Sequence, residues 1–118
     1  MRIAGILLCF VAGCTGSVDD LEVLEALESE TRAMAGDGSC EEEASCATVA
    51  FGSKPCGGPW EYLVYCASDI DEEAFLAKVE EYNAMEAEYN ALHEIGSDCA
   101  EEADPGAMLV DGVCVPMQ

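Results

Sequence analysis

Basic side chains are scarce in this 118-residue sequence, which carries four Lys and Arg residues against 25 Asp and Glu, for a formal net charge of −21 at pH 7. Such a chain repels polyanions, so nucleic acids and anionic lipid surfaces are excluded as partners. The acidity is compatible with a cationic protein partner, with diffusely held divalent cations or with a saline habitat. We favour the simplest explanation, a solvated surface that keeps an exported protein soluble.

Motifs for catalysis and metal binding are also missing. His93 is the only histidine, and no two of the six cysteines that follow Cys14 have the short separation that a zinc knuckle or a redox-active pair requires. The acidic run that begins at Asp69 has Ala74 where a calcium loop needs glycine. We therefore predict a protein that is not an enzyme, with no catalytic residue, no metal and no cofactor.

Long apolar runs are absent too. The apolar run at the start of the chain is short and covers only residues 3–13. Eleven residues are too few to span a bilayer as a helix, which takes about 20, but they fit the core of a signal peptide. The run ends in Val11-Ala12-Gly13-Cys14, which matches the bacterial lipobox. We predict that residues 1–13 are a cleaved lipoprotein signal peptide and that Cys14 carries a diacylglycerol lipid. An ordinary secretory signal with a chance cysteine is the alternative.

The residue after Cys14 indicates the destination of such a lipoprotein. Thr15 stands there and not Asp, which by analogy with enteric bacteria favours the outer membrane, facing the periplasm or the exterior. The lipid on Cys14 would then be the contact with the membrane.

Six cysteines remain after Cys9 and Cys14 are set aside, an even number that predicts a disulfide framework in an exported chain. They are Cys40, Cys46, Cys56, Cys66, Cys99 and Cys114.

Two runs rich in β-branched and aromatic residues, 44–51 and 60–66, flank a Gly- and Pro-rich loop and predict a β-hairpin. If the hairpin is centred on Cys56, facing residues have numbers that add up to 112. Cys46 then faces Cys66, and Cβ atoms in such a pair lie about 4.5–5.5 Å apart. We predict a Cys46–Cys66 disulfide, and we expect Val49, Leu63 and Tyr65 to lie on the buried face.

The other pairings are less determined. Cys99 and Cys114 enclose a short loop, which leaves Cys40–Cys56 by elimination. Cys40–Cys114 together with Cys56–Cys99 is nearly as plausible.

Helical periodicity marks two further segments. Residues 69–95 predict one long helix that starts with a capping box, Asp69 with Glu72, and ends before Gly96. Its apolar stripe consists of Phe75, Leu76, Val79, Tyr82, Met85, Tyr89, Leu92 and Ile95. Residues 14–38 form an acidic segment with a narrower stripe and a possible capping box, Ser17 with Asp20. We predict an acidic tether there, which the stripe allows to be helical; a helix that docks weakly on the domain is the alternative.

The last segment contains Asp111-Gly112 between apolar residues, the strongest short hairpin signal. Residues 39–118 therefore predict one disulfide-rich α+β domain, a small stapled antiparallel sheet with one long helix packed on it. A domain of this size buries a limited core, and disulfides supply the missing stability.

The loop between the first two strands is the candidate binding loop, with Lys54, Pro55, Gly57, Gly58 and Trp60 as its candidate residues. Pro fixes φ and Gly accepts positive φ, so the loop should be compact. An ordinary structural turn is the plainer interpretation, which we favour. The functional hypotheses are a lipid-anchored envelope protein with a binding or structural role, and a protease inhibitor that presents Lys54.

This loop and the residues after it resemble small exported bacterial proteins of no established function, over about residues 40–114. The shared pattern consists of residues 52–60, Tyr62, Tyr65, Tyr82-Asn83, Asn90 and Ser97-Asp98-Cys99. The resemblance implies a disulfide-bonded domain and says nothing about an activity. Cys46 and Cys66 lie outside the pattern, which agrees with their pairing together.

Overall fold

Two helices and two antiparallel hairpins make up the part of the chain that the computed structural model describes, residues 19–117. The predicted small α+β fold is confirmed. The helices are α1, Asp20–Met34, and α2, Glu72–His93; the strands are β1, Cys46–Phe51; β2, Glu61–Cys66; β3, Ala107–Val110; and β4, Val113–Pro116. None of the described helices has the length and apolar composition needed to cross a bilayer.

The first hairpin has the predicted register. Strands β1 and β2 pair from Cys46 opposite Cys66 to Phe51 opposite Glu61. Because side chains alternate between the faces of a strand, Phe51 and Tyr65 lie on one face, where both are buried. Val49 and Leu63, on the same face, pack against the core as expected.

Helix α2 covers that face of the hairpin through Phe75, Val79 and Tyr82, all buried. It begins at Glu72, three residues after the predicted start at Asp69, because a turn in which the Asp69 N–H binds the Cys66 carbonyl precedes it. Asp71 is the N-cap, and its carboxylate accepts the Ala74 N–H at 3.1 Å.

The other end of α2 differs from the prediction as well. Glu94, in the left-handed conformation with φ 52°, ends the helix ahead of Gly96. The far end of the predicted apolar stripe is not in the core, since Leu92 is 70% exposed and Ile95 is also exposed.

Helix α1 is a packed element of the fold. The tether predicted over residues 14–38 is therefore wrong for residues 20–34, where the alternative of a docked helix is found, and the folded part begins before residue 39. Leu24, Leu27 and Thr31 are buried, and the helix contacts α2. The Thr31 hydroxyl donates to the Leu27 carbonyl at 2.7 Å, so this buried polar group is satisfied within the helix. Ser17 of the predicted capping box and Cys14 lie outside the described residues.

Arg32 joins α1 to the hairpin. Its guanidinium binds the carboxylates of Glu28 and Glu61 and lies 4.9 Å from the centre of the Phe51 ring. The hydrogen bond to Glu61 is the largest of the effects that raise the pKa of Arg32, and burial opposes them. One of the few basic side chains is thus used to connect two elements.

The C-terminal hairpin forms as predicted, with β3 and β4 joined at Asp111-Gly112. Both turn residues have positive φ, 53° and 80°, as a type I′ hairpin turn requires. This hairpin covers the second face of β1 and β2, where the Thr48 hydroxyl donates to the Asp104 carboxylate at 2.9 Å. The first hairpin is therefore enclosed between helices and the second hairpin.

All six predicted cysteines form disulfides, but most predicted pairings are wrong. The bonds are Cys40–Cys66, Cys46–Cys114 and Cys56–Cys99. They replace the predicted pairs Cys46–Cys66, Cys99–Cys114 and Cys40–Cys56, and of the alternative set only Cys56–Cys99 is found.

The reason lies on the second face of the first hairpin. Cys46 and Cys66 do face each other, but residues 38–40 and β4 pack over this end of the hairpin. The Cys40 N–H binds the Gly112 carbonyl and the Cys114 N–H binds the Gly38 carbonyl, at 2.9 and 2.8 Å. Each strand cysteine therefore finds a partner outside the hairpin, with Cα atoms 5.5 Å apart in both bonds.

Shortening a buried leucine of α1 should distinguish a packed helix from a tether. We expect Leu24→Ala to lower the free energy of unfolding by about 2–3 kcal/mol, because it leaves a cavity in the core. Leu21→Ala is the matched control in the same helix; Leu21 is 40% exposed, and its change should stay within about 0.5 kcal/mol. Urea denaturation measures both, and equal small effects would mean that α1 does not dock.

Candidate functional site

The loop of residues 52–60 continues the hairpin to its tip. The Lys54 N–H donates to the Gly58 carbonyl and the Gly57 N–H donates to the Lys54 carbonyl, both at 2.8 Å. Lys54 and Gly58 thus face each other in the register centred on Cys56. Pro55 occupies the second position of the resulting turn, where its fixed φ suits the backbone, and Gly57 has φ 101°.

Three polar side chains of α2 hold the base of the loop by its backbone. Asn83 accepts the Gly52 N–H at 2.6 Å, Glu86 accepts the Ser53 N–H at 2.6 Å, and Asn90 donates to the Ser53 carbonyl at 2.7 Å. Residues spaced by three and four lie on one face of a helix, so one face of α2 fixes the loop.

Gly52 allows this close approach. A Cβ atom at this position would lie 2.9 Å from Trp60 Cδ1 and 3.1 Å from Glu86 Oε1, and its φ of 88° is unfavourable for other residues. The glycine therefore lets the loop backbone lie against α2 and Trp60 together.

Lys54 points into the protein, which corrects the expectation that it is presented to a partner. Its side chain is only 2% exposed. The ammonium donates to the Ala100 carbonyl at 2.6 Å and to Asp98 at 3.2 Å, and Glu102 lies 3.6 Å away. It also lies 5.1 Å from the centre of the Trp60 ring.

The segment after α2 is thereby fastened to the loop at two points. The Cys56–Cys99 disulfide joins it to the tip, and the Lys54 ammonium joins it to the loop base. The Ala100 N–H donates to the Asp98 carboxylate at 3.0 Å, and this bond, assisted by Lys54, lowers the pKa of Asp98. Asp98 is therefore held as the anion that Lys54 requires.

The pKa of Glu86 shifts in the opposite direction, upwards. Burial is the largest effect and raises its pKa, while the hydrogen bond from the Ser53 N–H opposes the rise. The carboxylate keeps its role as an acceptor for the loop backbone at 2.6 Å.

The tip of the loop is exposed, and two carboxylates lie on one side of it. Pro55, Gly57 and Gly58 face solvent, and Trp60 is 41% exposed. A cavity of about 540 Å³ lies beside the tip, lined on its far side by residues 99–102, which include Glu101 and Glu102. Such a surface favours a cationic ligand.

The structure therefore brings together all five candidate loop residues, but with different roles. Pro55, Gly57 and Gly58 form the tip, while Lys54 and Trp60 support it. The supporting residues Asn83, Glu86, Asn90, Asp98 and Glu102 were not predicted as part of the site. A signal existed for the first three, since polar residues at helical spacing lie on α2 between positions of its apolar stripe.

Comparisons with protein-family models, with curated proteins and with solved structures find no match to this chain. The resemblance to small exported bacterial proteins therefore stays a prediction.

Replacing the buried ammonium should loosen the loop. We expect Lys54→Met to cost about 1–3 kcal/mol of stability, since the loop loses the charge-assisted hydrogen bonds of a buried ammonium to the Ala100 carbonyl and to Asp98. The Gly57 amide, bonded to the Lys54 carbonyl, should exchange its hydrogen faster.

Lys78→Met is the matched control for this change. Lys78 forms ion pairs with Glu30 and Glu81 at the surface, where ion pairs contribute little to stability. Denaturation and native-state hydrogen exchange measure both variants, and an unchanged Gly57 exchange rate in Lys54→Met would contradict the supporting role of Lys54.

Proposed function

We propose that this protein is a lipid-anchored protein of the bacterial cell envelope that binds a cationic protein partner through the tip of its loop, residues 55–59. The observation that carries the proposal is the inward direction of Lys54. With that side chain satisfied inside, the tip offers a rigid, exposed backbone beside the carboxylates of Glu101 and Glu102. The role is one of binding, without catalysis.

Rigidity supports a binding role, because a loop held in one conformation loses little entropy when a partner binds. The candidate loop is held by the turn at its tip, by α2 at its base and by a disulfide to the following segment. An ordinary structural turn needs none of the long-range contacts that Asn83, Glu86 and Asn90 make.

Export is supported by the cysteines. The six that follow Cys14 all form disulfides, which persist in oxidising compartments. A lipid on Cys14 would lie six residues before the start of α1. The anchor would therefore hold the folded part close to the membrane, and Thr15 favours the outer membrane.

The inhibitor hypothesis has less support. A lysine that enters the specificity pocket of a protease has to be exposed, and the Lys54 ammonium is already bound by Asp98 and the Ala100 carbonyl. Extracting it would break both hydrogen bonds and expose a side chain that the fold buries.

The anchor is tested by the intact mass of the protein from a bacterial membrane fraction. We expect the mass of residues 14–118 plus lipid, with six thiols that react with an alkylating agent only after reduction. Cys14→Ser should abolish the lipid and the membrane association, while Cys9→Ser, the matched control in the signal peptide, should change neither. An unlipidated wild-type mass would refute the anchor.

The binding role is tested with a photo-crosslinking residue in place of Pro55 in intact membranes. We expect a discrete adduct whose yield falls at high salt and in Glu101→Lys, because both weaken attraction between the carboxylates beside the tip and a cationic partner. The control carries the crosslinker in place of Glu73, an exposed residue at the opposite end of α2. Equal adduct yields at both positions would contradict binding at the tip. So would a yield that changes neither at high salt nor in Glu101→Lys.

A further inference from the structure

A cavity of about 260 Å³ lies where α1, α2 and the base of the candidate loop meet. We call it the loop-base cavity. Its volume is below the roughly 300–1,000 Å³ of pockets that take drug-sized ligands, so it suits a single side chain or a small molecule of similar size. Its lining includes the side chains of Glu28, Arg32, Trp60, Glu61, Tyr82 and Glu86.

The hydroxyl of Tyr82 is the feature that points to a ligand. Tyr82 is only 5% exposed, and its ring stacks on that of Phe51 with the centroids 4.7 Å apart. Among residues 19–117, the hydroxyl has no hydrogen-bond partner. Buried tyrosine hydroxyls usually have one, so this group has an unused capacity for a hydrogen bond.

The charged groups around this hydroxyl place it beside the cavity. Burial is the largest effect that raises the pKa of Tyr82, and the carboxylates of Glu86, Glu28 and Glu61 raise it further. All three carboxylates line the loop-base cavity. The hydroxyl therefore keeps its proton, and its oxygen can accept a hydrogen bond from a ligand in the cavity.

Glu86 is the carboxylate in the cavity that lacks a cation. The Arg32 guanidinium is already paired with Glu28 and Glu61, and Glu86 forms no ion pair within the described part of the chain. Burial is the largest effect that raises the pKa of Glu86, and the nearby charge of Glu28 adds to it. A carboxylate offers about four sites for hydrogen bonds, so the donors of the loop leave room for a ligand.

We propose that the loop-base cavity binds an alkylammonium group, the chemical class of a lysine side chain. An ammonium has three donors and no acceptor, which complements a free hydroxyl oxygen and an unpaired carboxylate. Its alkyl stem would lie against the ring of Trp60, which is 41% exposed. The acceptors come from both helices, Glu28 from α1 and Tyr82 and Glu86 from α2. They suit the rotatable donors of an ammonium better than the flat donor set of a guanidinium.

This inference rests on the proposed binding of a cationic protein at the tip of the loop. Trp60 follows the tip directly and lines the loop-base cavity, so the two surfaces adjoin. A lysine side chain of that partner is the expected source of the ammonium. A free small amine presents the same chemistry and is the other source.

Fluorescence tests the binding, because Trp60 is the only tryptophan in the chain. The purified protein, with its disulfides intact and in a neutral detergent, is titrated with n-butylammonium at an ionic strength kept constant with KCl. We expect a saturable change in Trp60 emission with one ligand per chain. n-Butanol, a neutral molecule of similar size, should give none. The absence of a saturable response, or an equal response to n-butanol, would overturn the proposal.

Tyr82→Phe removes the hydroxyl and keeps the ring stack. We expect the affinity for n-butylammonium to fall about 3- to 10-fold, the equivalent of one hydrogen bond. Thermal stability should not fall, because the hydroxyl has no partner to lose. Tyr62→Phe is the matched control, since Tyr62 lies on the other face of the hairpin, and its affinity should not change. Unchanged affinity in Tyr82→Phe would overturn the proposal.

Glu86→Gln removes the charge and keeps an oxygen that can accept the Ser53 N–H. We expect the affinity for n-butylammonium to fall by at least about 10-fold, because a hydrogen bond between charged groups is lost. Glu80→Gln removes the same charge from an exposed position of α2 and should lower the affinity by less than about 2-fold. Equal losses in both variants would mean diffuse attraction to the acidic surface and would overturn the proposal.

Crosslinking from position 55 in intact membranes separates the two sources of the ammonium. If a lysine of the partner occupies the cavity, Tyr82→Phe lowers the adduct yield. If a free amine does, the yield stays the same while n-butylammonium still binds the purified protein. The two proposals also fail separately. A missing adduct would refute binding at the tip, whereas a missing response to n-butylammonium would refute the site in the cavity even where the adduct forms.

Discussion

The antiparallel register of β1 and β2 is the constraint on which the rest of the structure depends. Because side chains alternate along a strand, this register places Phe51 and Tyr65 towards the helices and Cys46, Thr48 and Cys66 towards the C-terminal hairpin. A shift by one residue would exchange the two faces. The apolar core, the attachment of the second hairpin and the position of two disulfides all follow from this one pairing.

The same register continues into the loop and gives the two ends of the hairpin different characters. At one end, Lys54 uses its charge internally, and the tip that it supports is left exposed beside two carboxylates. At the other end, two disulfides join Cys66 to Cys40 and Cys46 to Cys114. In a chain with so few cations, Arg32 and Lys54 both serve to connect segments, which leaves the exposed surface strongly acidic.

The proposals for the tip and for the loop-base cavity depend on different observations. Binding at the tip depends on the exposure and rigidity of residues 55–59, and a lipid on Cys14 would place that tip near a membrane. Binding in the cavity depends on the buried Tyr82 hydroxyl and the Glu86 carboxylate, which lack a hydrogen-bond partner and a cation respectively among residues 19–117.

Local pattern alone determined much of this protein. The strand runs and their facing residues, the Asp111-Gly112 turn, the position of α2 and the oxidation of six cysteines could all be predicted, because alternation, turn chemistry and helical spacing act between near neighbours. The docking of α1, the direction of Lys54 and the partners of the cysteines could not. Only the tertiary structure decided them, because each depends on which distant segment packs beside it, and spacing along the chain does not specify that contact.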